Sequence, residues 1–283
     1  MDISILIYVF LLFTVAICWR CSLRLGLIAL TASTVAGLVL QRIQPLGLLW
    51  ILLAGFSIWS ATNPSLSKWL RWTSMSIFLL MSIALSSHVL PGFNNFLAFD
   101  RVQFSPDSAP FTMYLNFDKT VVGIFILLFL LKTNEPHCWR KKDTIITIKI
   151  LAILVACMMP VALVTHYVRV DPKVPSETWL WCLNNLFFVA MAEEALFRGL
   201  IQNGLTKLAS GIWRWFPLAV SSLLFGLAHY RGGLSYILLA TFAGVFYGYT
   251  YWKTKRIEAA ILVHFGLNLI HFIFLSYPSL ITN

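Results

Sequence analysis

The feature that most constrains this 283-residue chain is a series of long apolar runs separated by short polar joints. A helix needs about 20 apolar residues to cross the hydrocarbon core of a bilayer. Runs near that length exclude a soluble single-core domain and a disordered chain. The sequence therefore predicts an all-α, polytopic membrane helical bundle of about ten transmembrane helices. The expected spans are 3–19, 25–41, 46–61, 73–90, 120–131, 144–167, 179–205, 215–230, 234–252 and 257–276.

Composition and charge agree with a membrane protein. Hydrophobic residues make up 59% of the chain and charged residues 11%, against about 25% charged in a soluble domain. The net charge is +10, but the basic residues stand singly between apolar runs, which indicates membrane orientation and not nucleic-acid binding. Lys and Arg are more frequent in the odd-numbered loops, which we therefore place in the cytoplasm. We expect a multi-pass protein of the cell membrane, the inner membrane if the source is bacterial, with the lipid bilayer as a partner.

The longest polar joint, Gly92–Lys119, is rich in aromatic residues of the kind found at membrane interfaces. It predicts an interfacial hairpin or, alternatively, a lid over a substrate entrance. The joint also separates an N-terminal accessory transmembrane region, residues 1–115, from a C-terminal region, residues 116–283. Cys18 and Cys21 have CxxC spacing, but no second pair accompanies them, so we interpret them as incidental packing.

Ionisable side chains inside membrane helices are costly, so they mark functional sites by default. The seventh predicted helix contains Glu193, Glu194 and Arg198. Glu194 and Arg198 are four residues apart and are expected to form an ion pair on one helix face. Glu193 lies about 100° away on the helix, with Phe197 at the i+4 position. The spacing therefore predicts that Glu193 is left free to act as a base.

The eighth and tenth predicted helices supply further polar groups. His229 ends the run Phe225–His229, and His264 and Asn268 share one face of the tenth helix. Together with the Glu193 carboxylate, these imidazole and amide side chains can activate water and stabilise an oxyanion. His271 and His88 are expected to be satisfied packing groups. Asn185 is expected either to form a hydrogen bond between helices or to line the same cavity.

Taken in order, the motifs EExxxR, FxxxH and HxxxN resemble the CAAX-protease and bacteriocin-processing family of intramembrane glutamic endopeptidases. The resemblance extends over roughly Asn116–Leu275. It implies a catalytic cavity in the C-terminal helices, water attack on a peptide bond, and no cofactor. It also implies that Glu193 and His229 activate water, that His264 and Asn268 stabilise the oxyanion, and that Glu194 and Arg198 support the site. We add Phe225, which opens the FxxxH motif, to the supporting residues.

The function implied is hydrolysis of a peptide bond near the membrane-associated C-terminal segment of a substrate protein. The expected substrate is membrane-anchored or C-terminally hydrophobic. Zinc held by Glu193, His229 and His264 is an alternative, since His and carboxylate groups are ordinary zinc ligands. A non-catalytic peptide-binding, immunity or scaffold protein of the same family is a second alternative. A transporter fits less well, because the polar residues lie only in the second half of the chain.

Overall fold

The computed structural model describes residues 5–20, 23–131 and 139–281, and most of these residues are helical. The helices are α1 (Ile5–Arg20), α2 (Leu23–Val39), α3 (Pro45–Thr62), α4 (Lys68–Ser86), α5 (Phe117–Phe129), α6 (Lys141–Val164), α7 (Thr178–Thr206), α8 (Phe216–Ala228), α9 (Gly233–Thr254) and α10 (Ile257–Phe274). Short 3₁₀ turns, Gly211–Trp215 and Tyr230–Gly232, precede α8 and α9. Two strands, β1 (Phe96–Val102) and β2 (Phe111–Leu115), form a two-stranded sheet.

Each predicted span coincides with one of these helices. Within the described ranges, six helices are long and apolar enough to cross a membrane, namely α3, α4, α6, α7, α9 with its preceding turn, and α10. The chain is thus a mostly helical, multi-pass membrane protein, as predicted. The structure does not support the predicted count of about ten spans, because α1, α2, α5 and α8 are shorter.

The chain divides into two compact units. The first unit contains residues 1–98, 114–135 and 187–196, and the second contains 99–113, 136–186 and 197–283. Both units are therefore assembled from separate stretches of sequence. The division predicted from the sequence, an accessory region of residues 1–115 and a C-terminal region of residues 116–283, concerns function and stays a prediction.

Helix α5 is the centre of the first unit. It packs against α1, α2, α3, α4 and the Met191–Glu194 turn of α7. Nearly every residue of α5 is buried, as expected for a helix that is apolar on all sides. Its 13 residues rise about 20 Å, less than the ~30 Å hydrocarbon core. Burial among neighbouring helices explains how a helix this short can be so apolar.

The second unit is built around α9, which packs against α6, α8 and α10. Gly226 of α8 permits close approach to α9. A Cβ atom placed there would lie 1.8 Å from Thr241 Oγ1 and 2.7 Å from the Ile237 carbonyl oxygen. The absence of a side chain at this position therefore sets the distance between the helix that leads to His229 and its neighbour.

The joint between α4 and α5 forms the predicted hairpin, with β1 and β2 as its arms. Within the second unit its aromatic tip packs near the end of α10. The ring centroids of Phe104 and Phe272 are 5.0 Å apart, and those of Phe111 and Tyr277 are also 5.0 Å apart. The hairpin is confirmed, whereas a role as a lid stays a prediction.

Polar contacts also hold the hairpin tip. Ser105 donates a short hydrogen bond to the Asp171 carboxylate, and Arg169 Nη1 lies 2.8 Å from Asp107 Oδ2. The hydrogen bond from Ser105, with a smaller contribution from Lys173, holds the pKa of Asp171 below its ordinary value. The tip is therefore fixed to the loop that joins α6 to α7.

Candidate active site

The sequence-predicted site residues fall in both compact units. Glu193 and Glu194 belong to the first unit, and Arg198, Phe225, His229, His264 and Asn268 belong to the second.

Glu193 is held by a lysine from α5. Lys119 Nζ lies 2.6 Å from Glu193 Oε1, and the two side chains are 15% and 12% exposed. The expectation that Glu193 is left free is therefore wrong. Helix spacing could not reveal this ion pair, because Lys119 precedes Glu193 by 74 residues.

Small residues bring α5 and α7 together at this point. A Cβ atom at Gly123 would lie 2.6 Å from Met191 Sδ and 2.9 Å from Ala192 Cα. Gly123 stands one helical turn after Lys119 on the same face of α5. Only glycine therefore permits the approach that brings Lys119 to Glu193.

The residue before Lys119 forms a second polar network. The buried carboxylate of Asp118 lies 2.7 Å from His88 Nδ1 and accepts a hydrogen bond of 3.0 Å from Asn95 Nδ2. Asn95 in turn accepts a hydrogen bond from the Phe117 amide through its Oδ1 atom. His88 is thus satisfied, as predicted, although by a carboxylate and not by apolar packing.

Two π-helical turns interrupt α7 on both sides of the glutamates. They cover Asn185–Ala190 and Ala195–Gln202, with the α-helical turn Met191–Glu194 between them. Such π turns occur frequently at functional sites. The sequence pattern gave no indication of them, because segments of 6 and 8 residues are too short to show a change of apolar period.

Arg198 is fully buried in the second unit. Its Nη2 atom donates a hydrogen bond of 2.8 Å to the Gly244 carbonyl oxygen. The guanidinium carbon lies 4.7 Å from the ring centroid of Phe225 and 5.4 Å from that of Tyr247. A carbonyl oxygen and two aromatic faces thus contact this cation. Glu194 is also fully buried, and its predicted ion pair with Arg198 stays a prediction.

His229 follows the last residue of α8, and its ring is oriented by the backbone. Its Nδ1 atom lies 2.7 Å from the Phe225 carbonyl oxygen. A carbonyl oxygen can only accept, so Nδ1 carries the proton of this hydrogen bond. In the neutral ring the Nε2 atom is then the proton acceptor. The FxxxH spacing creates this geometry, because the carbonyl of residue i lies beside residue i+4 at a helix end.

Phe225 connects the groups of the second unit. Its buried ring lies 4.7 Å from the ring of His229 and 5.6 Å from that of His264, centroid to centroid. The same ring contacts the Arg198 guanidinium. Within the second unit the structure therefore brings Arg198, His229 and His264 into contact with the ring of Phe225.

Tyr247 of α9 is a contact that sequence reasoning missed. Its ring stacks on His264, with centroids 4.6 Å apart and planes 12° apart, and both residues are buried. The signal in the sequence was a stripe of small and aromatic residues on α9, but such a stripe is typical of any buried helix face.

Asn268 lies one turn beyond His264 on α10. Its Nδ2 atom donates a hydrogen bond of 3.3 Å to Asn185 Oδ1 on α7. Asn185 thus forms the predicted bond between helices. His271, one turn further on, has its Nε2 atom 3.2 Å from the Ser276 carbonyl oxygen and its ring against Tyr277. It is a satisfied packing group, as expected.

The side chains that could ligate a metal are dispersed in the part of the chain that the structure describes. In residues 5–20, 23–131 and 139–281, no group of three or more His, Cys, Asp or Glu side chains could hold a metal ion. The zinc alternative at Glu193, His229 and His264 therefore gains no support from the geometry. The free cysteines in the same ranges are Cys18, Cys157 and Cys182, and Cys21 lies outside them.

Comparison with known proteins gives one match. Residues 175–270 match the family model described as type II CAAX prenyl endopeptidase Rce1-like. Neither a curated protein nor a solved structure matches the chain. The matched segment contains Glu193, Arg198, His229, His264 and Asn268. The resemblance drawn from the three motifs is therefore confirmed: residues 175–270 of this membrane protein are similar to the Rce1-like CAAX endopeptidases.

Proposed function

We propose that this chain is an intramembrane endopeptidase of the glutamic type. Its substrate is a membrane-anchored or C-terminally hydrophobic protein, cleaved near its membrane-associated C-terminal segment. The match to a family of CAAX prenyl endopeptidases supports the reaction class. The hydrogen bond from His229 to the Phe225 carbonyl carries the proposal, because it leaves Nε2 of a neutral ring as a proton acceptor.

In the proposed reaction Glu193 and His229 activate a water molecule. The Glu193 carboxylate takes one proton from the water while His229 Nε2 accepts a hydrogen bond and orients it. The water oxygen forms a bond to the scissile carbonyl carbon. The peptide C–N bond then breaks, and the proton held by Glu193 passes to the leaving nitrogen. The proton that Glu193 takes from water is thus returned to the leaving nitrogen, so the reaction consumes only water and the peptide.

His264 and Asn268 act on the developing negative charge. A neutral imidazole donates through one ring nitrogen, and an amide nitrogen carries two protons. Asn268 uses one amide proton toward Asn185 in the resting structure, so the other is available to the substrate oxygen. Donors of this kind contribute about 3 kcal/mol each to stabilisation of a transition state.

Lys119 is the residue that the structure adds to this scheme. Its ammonium group holds one oxygen of Glu193 at 2.6 Å and fixes the orientation of the carboxylate. Orientation of a reacting group lowers the entropy that must be lost at the transition state. We therefore assign Lys119 as a positioning residue for Glu193.

The proposal also includes the topology expected from the sequence. The chain crosses a cell membrane about ten times, and α1, α2, α5 and α8 complete the six longer spans. The catalytic cavity lies in the C-terminal helices, and residues 1–115 form an accessory region. The membrane is the inner membrane if the source is a bacterium.

The test is the variant Glu193→Gln, with Glu177→Gln near the start of α7 as the matched control. We expect Glu193→Gln to lower processing at least about a thousandfold, because the base is lost. The measurement is mass spectrometry of protein C-termini in membranes from the variant and parent strains. Unprocessed C-termini should accumulate only in Glu193→Gln cells.

A second outcome would replace the proposal. If Glu193→Gln protein is folded and inserted and C-termini are processed as in the parent, the chain acts without cleaving peptides. The non-catalytic peptide-binding, immunity or scaffold function would then take its place. Cleavage by purified protein that is unchanged by a chelator would in addition remove the zinc alternative.

A further inference from the structure

Basic and aromatic side chains collect at one end of the second unit, where four of its helices begin or end. Asp143 at the start of α6 contacts Arg256, which precedes α10, and Trp215 before α8 packs on Trp252 near the end of α9. We call this region the basic end. Its cations are Arg140, Lys141, Lys142, Arg214, Lys253, Lys255 and Arg256.

Positive charge exceeds negative charge at the basic end. Among the described residues there, Asp143 and Glu258 are the acidic side chains. The buried Oδ2 atom of Asp143 lies 3.7 Å from Arg140 Nε and 3.5 Å from Arg256 Nε, so one carboxylate oxygen serves two guanidinium groups. Lys141, Lys142 and Lys255 are exposed around this cluster. The excess positive charge favours the approach of an anion to this end of the unit.

Arg256 is the buried member of the basic end, with 11% of its side chain exposed. Its contacts with Asp143 and Glu258, at 3.5 and 3.7 Å, are longer than good hydrogen bonds. Its Nη2 atom is buried and has no hydrogen-bond partner among the described residues. A buried donor without a protein partner is uncommon in folded proteins, and a bound water or ion is one way to satisfy it.

Tryptophan rings lie beside several cations of the basic end. The Arg256 guanidinium lies 5.6 Å from the Trp139 ring, and Lys253 Nζ lies 5.0 Å from the Trp252 ring. Arg214 similarly lies over Trp215, at 5.5 Å. Trp residues are enriched at the interface between membrane and water, where cations on the same helices meet the phosphate layer.

We propose that the basic end binds the phosphate group of an anionic phospholipid. The phosphate oxygens accept hydrogen bonds from Arg140, Lys142 and Lys255 at the surface, and Arg256 supplies the buried donor. A zwitterionic lipid carries its own cation beside the phosphate and so cannot balance the excess charge. The proposal is independent of the peptidase reaction and would stand if that reaction were disproved.

The test uses the purified full chain in detergent, with phosphatidylglycerol and phosphatidylcholine as probes. Native mass spectrometry measures the apparent Kd of each lipid for the parent, for Lys142→Gln/Lys255→Gln, and for Arg24→Gln/Lys68→Gln. The last variant removes the same charge from exposed positions in the first unit. We expect phosphatidylglycerol to bind the parent at least tenfold more tightly than phosphatidylcholine.

The lysine variant should lose about fivefold in phosphatidylglycerol affinity for each lysine removed, whereas the control pair stays within twofold of the parent. Equal binding of the two lipids, or an unchanged Kd in the lysine variant, would overturn the proposal. Inorganic phosphate is the third probe. If it displaces phosphatidylglycerol at equal concentration, the site takes free phosphate and not a lipid.

A second variant tests the buried part of the site. Asp143→Asn/Arg256→Gln removes the acid and the cation together, so that no unpaired buried charge remains. We expect it to weaken phosphatidylglycerol binding as well, with no change for phosphatidylcholine. If this variant does not fold, the exposed lysine pair still decides the question, because Lys142 and Lys255 lie at the surface.

Discussion

Buried charge is stabilised differently at two places in the molecule, one in each compact unit. In the first unit, two carboxylates contact groups that can carry positive charge: Glu193 contacts Lys119 at 2.6 Å and Asp118 contacts His88 at 2.7 Å. In the second unit, the buried guanidinium of Arg198 contacts the Gly244 carbonyl and the faces of Phe225 and Tyr247.

The difference teaches which charges can be removed in pairs. An ion pair can be replaced by two neutral groups at small cost, because neither charge is left alone. The Gly244 carbonyl and the rings of Phe225 and Tyr247 allow no such exchange with Arg198, because these groups are neutral and have other roles. Phe225 also contacts His229 and His264. A substitution at Arg198 that moves the Phe225 ring would therefore alter the packing of both histidines.

The largest expected effect is that of Arg198→Leu. It removes the charged hydrogen bond to the Gly244 carbonyl and the contacts with two rings, at a cost of about 3 kcal/mol in stability. Arg198→Lys keeps the charge but not the planar donor geometry, so its stability should lie between those of the parent and Arg198→Leu. The measurement is thermal unfolding in detergent, with exposed Arg24→Gln as the control. If Arg198→Leu unfolds at the same temperature as the parent, the contacts of Arg198 do not stabilise the second unit and the contrast with the first unit fails.

The second prediction concerns Lys119→Met. Removal of one partner from a buried ion pair costs about 3 kcal/mol, and Lys119→Met/Glu193→Gln should recover most of this loss. A double-mutant cycle from thermal unfolding of the four proteins measures the coupling. Additive effects of the two substitutions would show that the contact contributes nothing to stability.

A third prediction tests the packing that creates the ion pair. Gly123→Ala should destabilise the first unit by about 2 kcal/mol, since its Cβ would meet the Ala192 backbone. Gly204→Ala, near the end of α7, is the matched control, because no atom lies within 4 Å of a Cβ there. The control should leave stability unchanged or raise it by about 0.5 kcal/mol. Equal unfolding temperatures for the two variants would contradict the close approach.

The smallest expected effect concerns the hairpin tip and its dependence on pH. The pKa of Asp171 is lowered in the folded protein, chiefly by Ser105, so this carboxylate adds stability above its ordinary pKa and loses that contribution as the pH falls below it. Ser105→Ala should therefore lower stability by about 1 kcal/mol at pH 7. The difference should shrink as the pH falls below the ordinary carboxyl pKa and disappear once Asp171 is protonated in the folded protein as well. Unfolding measured across this range checks the sign, and a constant difference at all pH values would contradict it.

Local features could be predicted from the sequence, and distant contacts could not. The ten apolar runs located the helices, and the aromatic joint located the hairpin. The FxxxH spacing led to His229, whose ring is oriented by its own helix end. By contrast, the contact of Lys119 with Glu193 and the stacking of Tyr247 on His264 join separate helices. No periodicity within one helix can reveal such pairs.

The sequence alone determined that this is a helical membrane protein with its polar motifs in the last helices. A scarcity of charge and a repeated apolar length leave no other class of structure that satisfies the backbone in lipid. Only the tertiary structure decided that Glu193 is paired and that Phe225 links Arg198 to both histidines. The reason is that burial of charge depends on which helices touch, and glycines such as Gly123 set that contact by permitting close approach.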